Sequence, residues 1–393
     1  VILTDNREEQ LMSGIPLVDL QAAHAEVAEE VDAGIKRIIA ECAFIGGAEV
    51  TAFEREYADF TAVPHCVGVA NGTDALELAL RAVGVGTGDE VIVPANTFVA
   101  TAEAVARVGA RVVFVDIDPA THLIDVAAAL AAVAPATRAI APVHLFGQLA
   151  PVEALRAGLA GMGRADVSIV EDAAQCQGAT RHGHAAGSAA LGGPRAIAST
   201  SFYPGKNLGA YGDAGAVVSA DAGLAATVRT LGSHGGQSKY VHEIVGVNSR
   251  LDGLQAVVLR AKLARLAAWN AARRRAAARY DALLSTVDVV LPATAPGNEH
   301  VWHLYVVRVP SPNGGPQRRD AVLKALNAAG IGAGIHYPVP LHLTPAFAGP
   351  AWPAGSFPQS ELAAAEILSL PIFPQISEDQ QRAVAAALVE ALS

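Results

Sequence analysis

Lys206 lies in the turn-rich segment Ser201-Phe202-Tyr203-Pro204-Gly205-Lys206-Asn207-Leu208-Gly209, between the apolar runs Arg195–Thr200 and Ala214–Ser219. A lysine placed between two strands of an apolar interior is positioned as a buried amine nucleophile. Desolvation or a nearby positive charge lowers its pKa from about 10.4 and frees the lone pair. Such an amine condenses with a carbonyl to form a Schiff base.

In open α/β sheets ligands gather beyond the carboxyl ends of the strands, and the other strand-like runs end in groups that complement this amine. Cys66–Ala70 leads into Asn71-Gly72-Thr73-Asp74 at the start of a helical stretch. Free backbone N–H groups, the positive end of the helix dipole and the Thr73 hydroxyl would hold a phosphate there. An ordinary N-cap by Asn71 or Asp74 is the alternative. Glu90–Pro94 leads to Phe98, which either stacks on a planar ring or packs in the core. Asp166–Val170 leads to Glu171-Asp172-Ala173-Ala174-Gln175. A carboxylate buried at a strand end is costly without a cation, so Asp172 either meets a protonated ring nitrogen or caps a helix. Gln175 either donates to a ring hydroxyl or stays on a helix surface, and Ser201 adds a phosphate donor. A carbonyl, a phosphate, a basic ring nitrogen and a ring hydroxyl are the groups of pyridoxal phosphate (PLP).

The elements that must position these residues follow from periodicity. Apolar residues at helical spacing predict an amphipathic helix over Asp19–Cys42. Seven strand-length runs follow: Cys66–Ala70, Glu90–Pro94, Arg111–Val115, Arg138–Val143, Asp166–Val170, Ala196–Ser201 and Ala214–Ser219. Their Val/Ile/Ala content suits strands buried on both faces of a mostly parallel sheet. Helices are expected between them at Asp74–Val83, Thr101–Val108, Val126–Val133 and Pro151–Ala160. Leu251–Leu284 reads as a long helix. Short strands (Leu304–Val309, Ile335–Tyr337) then alternate with helices (Arg319–Ala329, Gln359–Ile367, Asp379–Leu392). The expected partition is a large domain over residues 13–255, which holds PLP, and a smaller C-terminal α/β domain over residues 256–393. Met12 followed by Ser13-Gly14-Ile15-Pro16 reads as a natural start, making residues 1–11 an N-terminal extension or an expression remnant, and the partition sets residues 1–12 apart from the large domain.

The chain has 393 residues, 52% of them hydrophobic and 17% charged, which suits a densely packed enzyme and argues against disorder. A formal net charge of −10 disfavours nucleic acid and anionic membranes as partners. No apolar run approaches the roughly 20 residues of a membrane span, and the start lacks a signal-peptide layout. Cys42, Cys66 and Cys176 are scattered and read as reduced thiols of a cytoplasmic protein. The histidines show no zinc spacing, so no metal is expected, and His182 and His184 are assigned to an exposed turn. Thr200 and Asn207 stand where a phosphate-binding loop around Gly205-Lys206 would need Gly and Ser/Thr.

From Ile15 to about Phe347 the sequence resembles the nucleotide-sugar aminotransferases of the DegT/DnrJ/StrS family. The resemblance is carried by Asn71-Gly72-Thr73-Asp74-Ala75-Leu76, Asp89-Glu90-Val91-Ile92-Val93-Pro94, Pro142-Val143-His144-Leu145-Phe146-Gly147-Gln148 and Glu171-Asp172-Ala173-Ala174-Gln175. It continues in Ser201-Phe202-Tyr203-Pro204-Gly205-Lys206-Asn207, Asn248-Ser249-Arg250-Leu251-Asp252 and His336-Tyr337-Pro338. It implies the PLP-dependent transferase fold type I, with Lys206 as the Schiff-base lysine and Asp172 on the pyridine nitrogen. Gln175 would lie near the ring hydroxyl and Phe98 over the ring, with Gly72, Thr73 and Ser201 on the phosphate. Asn248 would reach the phosphate of a neighbouring subunit, making a homodimer necessary for a complete site. Arg250 would meet the glutamate carboxylate or a nucleotide phosphate, or form an ordinary surface ion pair. His336 and Tyr337 are expected on the substrate side.

Two departures stand out. Gln177 replaces a common histidine, and Ser188–Thr200 is longer than usual; both are expected near the sugar. The dehydratase branch has histidine in place of the lysine, so Lys206 argues against it.

The implied reaction is amination of a keto-sugar nucleotide with L-glutamate as donor, PLP alternating with pyridoxamine phosphate. Residues 233–240 with 247–252 look most like 3-aminotransferases for dTDP-3-keto-6-deoxyhexoses. A 4-keto-sugar nucleotide or a ketocyclitol comes next, and a non-catalytic PLP-binding regulator is the rival from another class. The alanine-rich composition suits an antibiotic-sugar pathway.

Overall fold

The computed structural model describes residues 14–236, 238, 240–312 and 314–393. The segment set apart from the large domain, residues 1–12, lies outside them, as do Gln237 and Lys239 of the 233–240 segment.

The seven apolar runs form β1 (His65–Val69), β2 (Glu90–Pro94), β3 (Arg111–Val115), β4 (Thr137–Ile140), β5 (Ser168–Asp172), β6 (Ile197–Ser201) and β7 (Gly215–Ser219). They make one sheet in the order β1-β7-β6-β5-β4-β2-β3. Only β7 runs against its neighbours, β1 and β6; the other pairs are parallel. The carboxyl ends of β1, β2, β5 and β6 therefore share one edge. The expected α/β class with a mostly parallel seven-stranded sheet is what the chain adopts.

Helices cover both faces: α1 (Leu20–Ala25), α2 (Ala28–Glu41), α3 (Gly47–Thr61), α4 (Gly72–Ala82), α5 (Val99–Arg107), α6 (Val126–Ala131), α7 (Val152–Gly161), α8 (Ala222–Gly232) and α9 (Gly253–Leu283). Successive strand residues point to opposite faces. Val91, Val93 and Val170 join Leu76, Leu78 and Val228 in one core. Ile92 and Ile169 join Phe53, Tyr57, Leu155 and Leu259 in the other. Each such side chain stabilises by about 1.5–3 kcal/mol, and continuous apolar strands are the only pattern that fills both faces.

Beyond α9, β8 (Tyr305–Arg308) pairs antiparallel with β9 (Ile367–Leu370). Around them lie α10 (Gln317–Ala328), α11 (Pro358–Glu366) and α12 (Glu378–Leu392). Their shared core includes Tyr280, Val307, Leu326, Leu368 and Leu388, together with Ile15 from the N-terminal segment.

Three expectations are corrected. Asp19–Cys42 is two helices rather than one, because Val27 leaves helical geometry to pack with Val31 against Val258 and Trp269 of α9. Ile335–Tyr337 is not a strand. Gly334 exchanges one pair of backbone hydrogen bonds with Ser369, and Pro338, lacking an N–H, cannot extend a ladder. Ile367 begins β9 instead of ending a helix; it is fully buried and pairs with Arg308.

Candidate active site

The shared carboxyl edge opens onto a cavity of about 720 Å³. It is lined by Gly72, Thr73, Phe98, Asp172, Gln175, Ser201, Lys206, His336 and Tyr337. Asn248 and Arg250 are not among them. They line a separate depression of about 360 Å³ with Ile45, Asp252 and Gln255, and Asp213 borders both spaces.

Asn71 ends β1's approach to the edge and caps α4, its Oδ1 accepting from Asp74 N at 2.8 Å. The N-cap alternative and the phosphate-site reading thus coexist. The cap uses the third N–H of the helix, leaving those of Gly72 and Thr73 at the cavity wall. Gly72 is required by space: a Cβ there would stand 2.5 Å from Ser201 Cβ and 2.9 Å from its Oγ. The close approach puts the Ser201 hydroxyl beside the helix terminus, a group of donors suited to an anion.

Asp172, 4% exposed, accepts from Thr101 Oγ1 at 2.8 Å and from Ala174 N at 3.1 Å. No helix follows it, so the helix-cap alternative is set aside. Gln175 is buried rather than on a helix surface. Its Oε1 accepts from Phe146 N at 2.8 Å, and a backbone N–H can only donate. The amide orientation is thereby fixed, and Nε2 donates to Tyr337 OH at 3.0 Å. Phe98 is 51% exposed, not core, and its ring centroid is 5.5 Å from that of Tyr337.

Lys206 is carried on a loop closed by Lys206 N donating to Tyr203 O and by the buried Asn207, whose Nδ2 donates to Asn270 Oδ1 and Val301 O. Desolvation lowers the Lys206 amine to about 8, against an opposing pull from Asp172. The amine has no hydrogen-bond partner and no ion pair among the described residues. His336 Nδ1 lies 2.8 Å from Ser369 Oγ. Burial and the Lys206 charge lower its ring to about 4, so it is neutral. Burial, with Asp172 adding to it, pushes the Tyr337 phenol up.

Arg250 is exposed and forms no ion pair among the described residues, which removes the surface-pair alternative. Gln177 does not line the cavity. It is 2% exposed, and its Nε2 donates to Ser201 O, Thr200 Oγ1 and Ala174 O. None of Ser188–Thr200 lines the cavity either, so neither departure sits where the sugar was expected. His303 does line it. In the sequence His303 is only one of the histidines that lack zinc spacing. Its one available signal was its place just before the strand Leu304–Val309. His182 and His184 are exposed, as expected. Among the described residues no group of His, Cys, Asp and Glu could hold a metal ion, and no helix is long and apolar enough to cross a membrane.

The pattern of the DegT/DnrJ/EryC1/StrS aminotransferase family matches residues 25–389. The chain belongs to that family. It is 46% identical to the erythromycin biosynthesis sensory transduction protein EryC1 of Saccharopolyspora erythraea, over 95% of this chain and 98% of that one. It is 45% identical to the dTDP-3-amino-3,4,6-trideoxy-alpha-D-glucose transaminase of Streptomyces venezuelae, over 96% of each. The solved structure of S. venezuelae DesV in complex with a ketimine intermediate superimposes with a TM-score of 0.90 at 44% identity, over 96% of this chain and 98% of that one. NtdA of Bacillus subtilis, solved with bound pyridoxamine phosphate, does so with a TM-score of 0.86 at 28% identity, over 97% of this chain and 85% of that one.

The chain is a PLP-dependent aminotransferase of the fold type I architecture, its cofactor alternating between pyridoxal and pyridoxamine phosphate. The residues present fit that group. Unspent donors stand at the start of α4, a buried carboxylate lies without a cation, and an unpaired, desolvated amine faces the same cavity.

Proposed function

We propose that this enzyme transfers the amino group of L-glutamate to the ketone of a keto-sugar nucleotide, with a dTDP-3-keto-6-deoxyhexose as acceptor. The observation that carries the reading is the unpaired Lys206 amine in a cavity it shares with Asp172. The 3-amino, dTDP-linked sugar in the name of the 45% identical S. venezuelae relative supports the choice of acceptor.

When bound, PLP supplies an electron sink for the transferred amino group. Lys206 anchors it and, once displaced by the donor amine, carries a proton to and from the reacting carbon. Asp172 pairs with the ring nitrogen and keeps it protonated. Gln175, with its oxygen committed to Phe146 N, offers its amide N–H to the ring hydroxyl. Phe98 covers the ring, and Gly72, Thr73 and Ser201 bind the phosphate. His336 and Tyr337 border the substrate.

Asn248 serves the site of a partner subunit in a homodimer, and Arg250 beside it meets the glutamate carboxylate or a nucleotide phosphate. Support for this comes from their position in a depression apart from their own chain's cavity. The separate core built on the C-terminal part of α9 and the elements after it supports a smaller C-terminal domain starting near residue 256, after the 13–255 domain. Three unpaired cysteines suit a cytoplasmic enzyme.

The test is an absorbance titration. PLP added to the protein should give the band of the lysine-bound cofactor, and L-glutamate should convert it to the pyridoxamine form. A dTDP-3-keto-6-deoxyhexose should then restore it. A band indifferent to glutamate overturns the donor, and one restored by other ketones but not by this sugar overturns the acceptor.

A further inference from the structure

His303 is held at the cavity wall by a frame that leaves its own ring unspent. Val301 N donates to Gly147 O at 2.9 Å, and Val301 O accepts from Asn207 Nδ2 at 2.9 Å, next to Lys206 in sequence. Trp302 O accepts from Arg273 Nη1 at 3.1 Å, and Leu304 N donates to Phe146 O at 3.2 Å. Both flanks of His303 are therefore fixed. The side chain is 7% exposed, and its Nδ1 is sealed from solvent with no hydrogen-bond partner. Among the described residues neither ring nitrogen has a hydrogen-bond partner, and Nε2, the one not sealed, is the ring atom left to meet a ligand.

A buried polar group is normally paired. Across the same cavity His336 has Ser369, and Tyr337 has Gln175. His303 has nothing, although its backbone is anchored on both sides, so its partner arrives with the cavity's contents. The ring is neutral: burial, then the charges of Lys206 and Arg273, hold it well below the usual histidine range. A neutral imidazole can meet a carboxylate only by donating its one N–H, without the charge assistance that a cation gives. A hydroxyl both donates and accepts, so it pairs with either tautomer of the ring.

We propose that His303 is a specificity-determining residue for the amino acceptor, hydrogen-bonded through Nε2 to a sugar hydroxyl near the reacting carbon. The inference rests on the sugar-nucleotide reading above. It assigns the amino donor, whose carboxylates need cations, to other groups.

The experiment separates the two half-reactions in the PLP-loaded enzyme, using His303→Leu and the hydrogen-bonding variant His303→Asn. The first half-reaction is run with L-glutamate. The second is run in reverse from dTDP-3-amino-3,6-dideoxyglucose and from its 4-deoxy counterpart, which lacks the hydroxyl on C4 and keeps the one on C2. His303→Leu should lower kcat/KM for the hydroxyl-bearing sugar by about tenfold or more, the loss of roughly one hydrogen bond. It should leave glutamate within about twofold, and His303→Asn should recover part of the loss; a 4-deoxy sugar that is spared assigns the bond to the C4 hydroxyl, and one that loses as much assigns it to the C2 hydroxyl. Equal losses with both sugars and glutamate would mean that His303 acts on Lys206 or on the fold, and would overturn the proposal. So would an unchanged rate with the hydroxyl-bearing sugar. If the wild-type enzyme converts glutamate but neither amino sugar, the sugar-nucleotide reading fails first and this inference with it.

Discussion

The Lys206 amine and the Asp172 carboxylate line one cavity and act on each other electrostatically, yet form no ion pair. Thr101 and Ala174 hold the carboxylate from behind, and the Asn207 anchors hold the loop that carries the amine. Both charged groups are thus fixed with room between them, which suits a ligand having an electrophilic carbon at one end and a basic nitrogen at the other. Lys206→Ala is expected to remove both the absorbance of the lysine-bound cofactor and glutamate turnover. Asp172→Asn should retain the absorbance and slow the glutamate half-reaction by on the order of 10²-fold or more, the usual scale for a lost proton-transfer or charge partner. Single-turnover spectra of both variants check this, and a Lys206→Ala protein that still turns over would sink the assignment.

The lowered amine has a pH consequence. Below about 8 the Lys206 amine is protonated and cannot attack a carbonyl; above it the amine is neutral. The rate of PLP capture by the cofactor-free protein should therefore rise about tenfold per pH unit on the acid side. It should level off above about 8. A stopped-flow pH series measures it. A rate still climbing steeply toward pH 10 would show an ordinary solvated lysine.

Gly72 and Ser201 make a steric prediction. Gly72→Ala places a methyl 2.5 Å from Ser201 Cβ, and overpacking of this kind costs about 1–3 kcal/mol. The strain falls on the start of α4, so PLP binding should weaken by roughly tenfold or more. Adding Ser201→Gly to Gly72→Ala removes both clashing atoms, Cβ and Oγ, and should recover the melting temperature more than the affinity because the hydroxyl is lost. Affinity and melting temperature restored together would mean that Ser201 contributes space but no bond to the phosphate.

The strand ends were legible because strands buried on both faces are written as unbroken Val/Ile/Ala runs, so the residues just past each run, Gly72, Phe98, Asp172 and Ser201, could be read in order. Lys206 was legible as the one lysine in the turn-rich segment between two such runs. The smaller unit was not. Ile367–Leu370 follows a helix without a turn residue, so periodicity alone extended the helix into β9. The direction of Gln177 was hidden for a different reason. Its partners are Thr200 and the backbone of Ala174 and Ser201, and side-chain direction in a loop has no period. His303 carried no motif, since what distinguishes it is a pair of nitrogens left without partners. Asn248 and Arg250 sat in readable motifs, but which subunit they serve depends on an assembly that a single chain does not contain.

That assembly gives the last prediction. If Asn248 completes the partner's site, Lys206→Ala and Asn248→Ala impair different subunits' contributions. A mixed dimer then contains one site lacking both groups and one site with both. Random reassociation of equal amounts makes half of the dimers mixed, so about a quarter of wild-type sites should return. The effect requires the depression of Asn248, Arg250 and Asp252 to face a neighbouring chain. Each variant is first checked for dimer formation and for an unchanged melt. The mixture is then assayed for glutamate-driven loss of the cofactor band. Recovery to about that fraction is expected. If two folded, exchanging variants recover nothing, Asn248 serves its own chain or no site at all, and the shared-site arrangement is wrong.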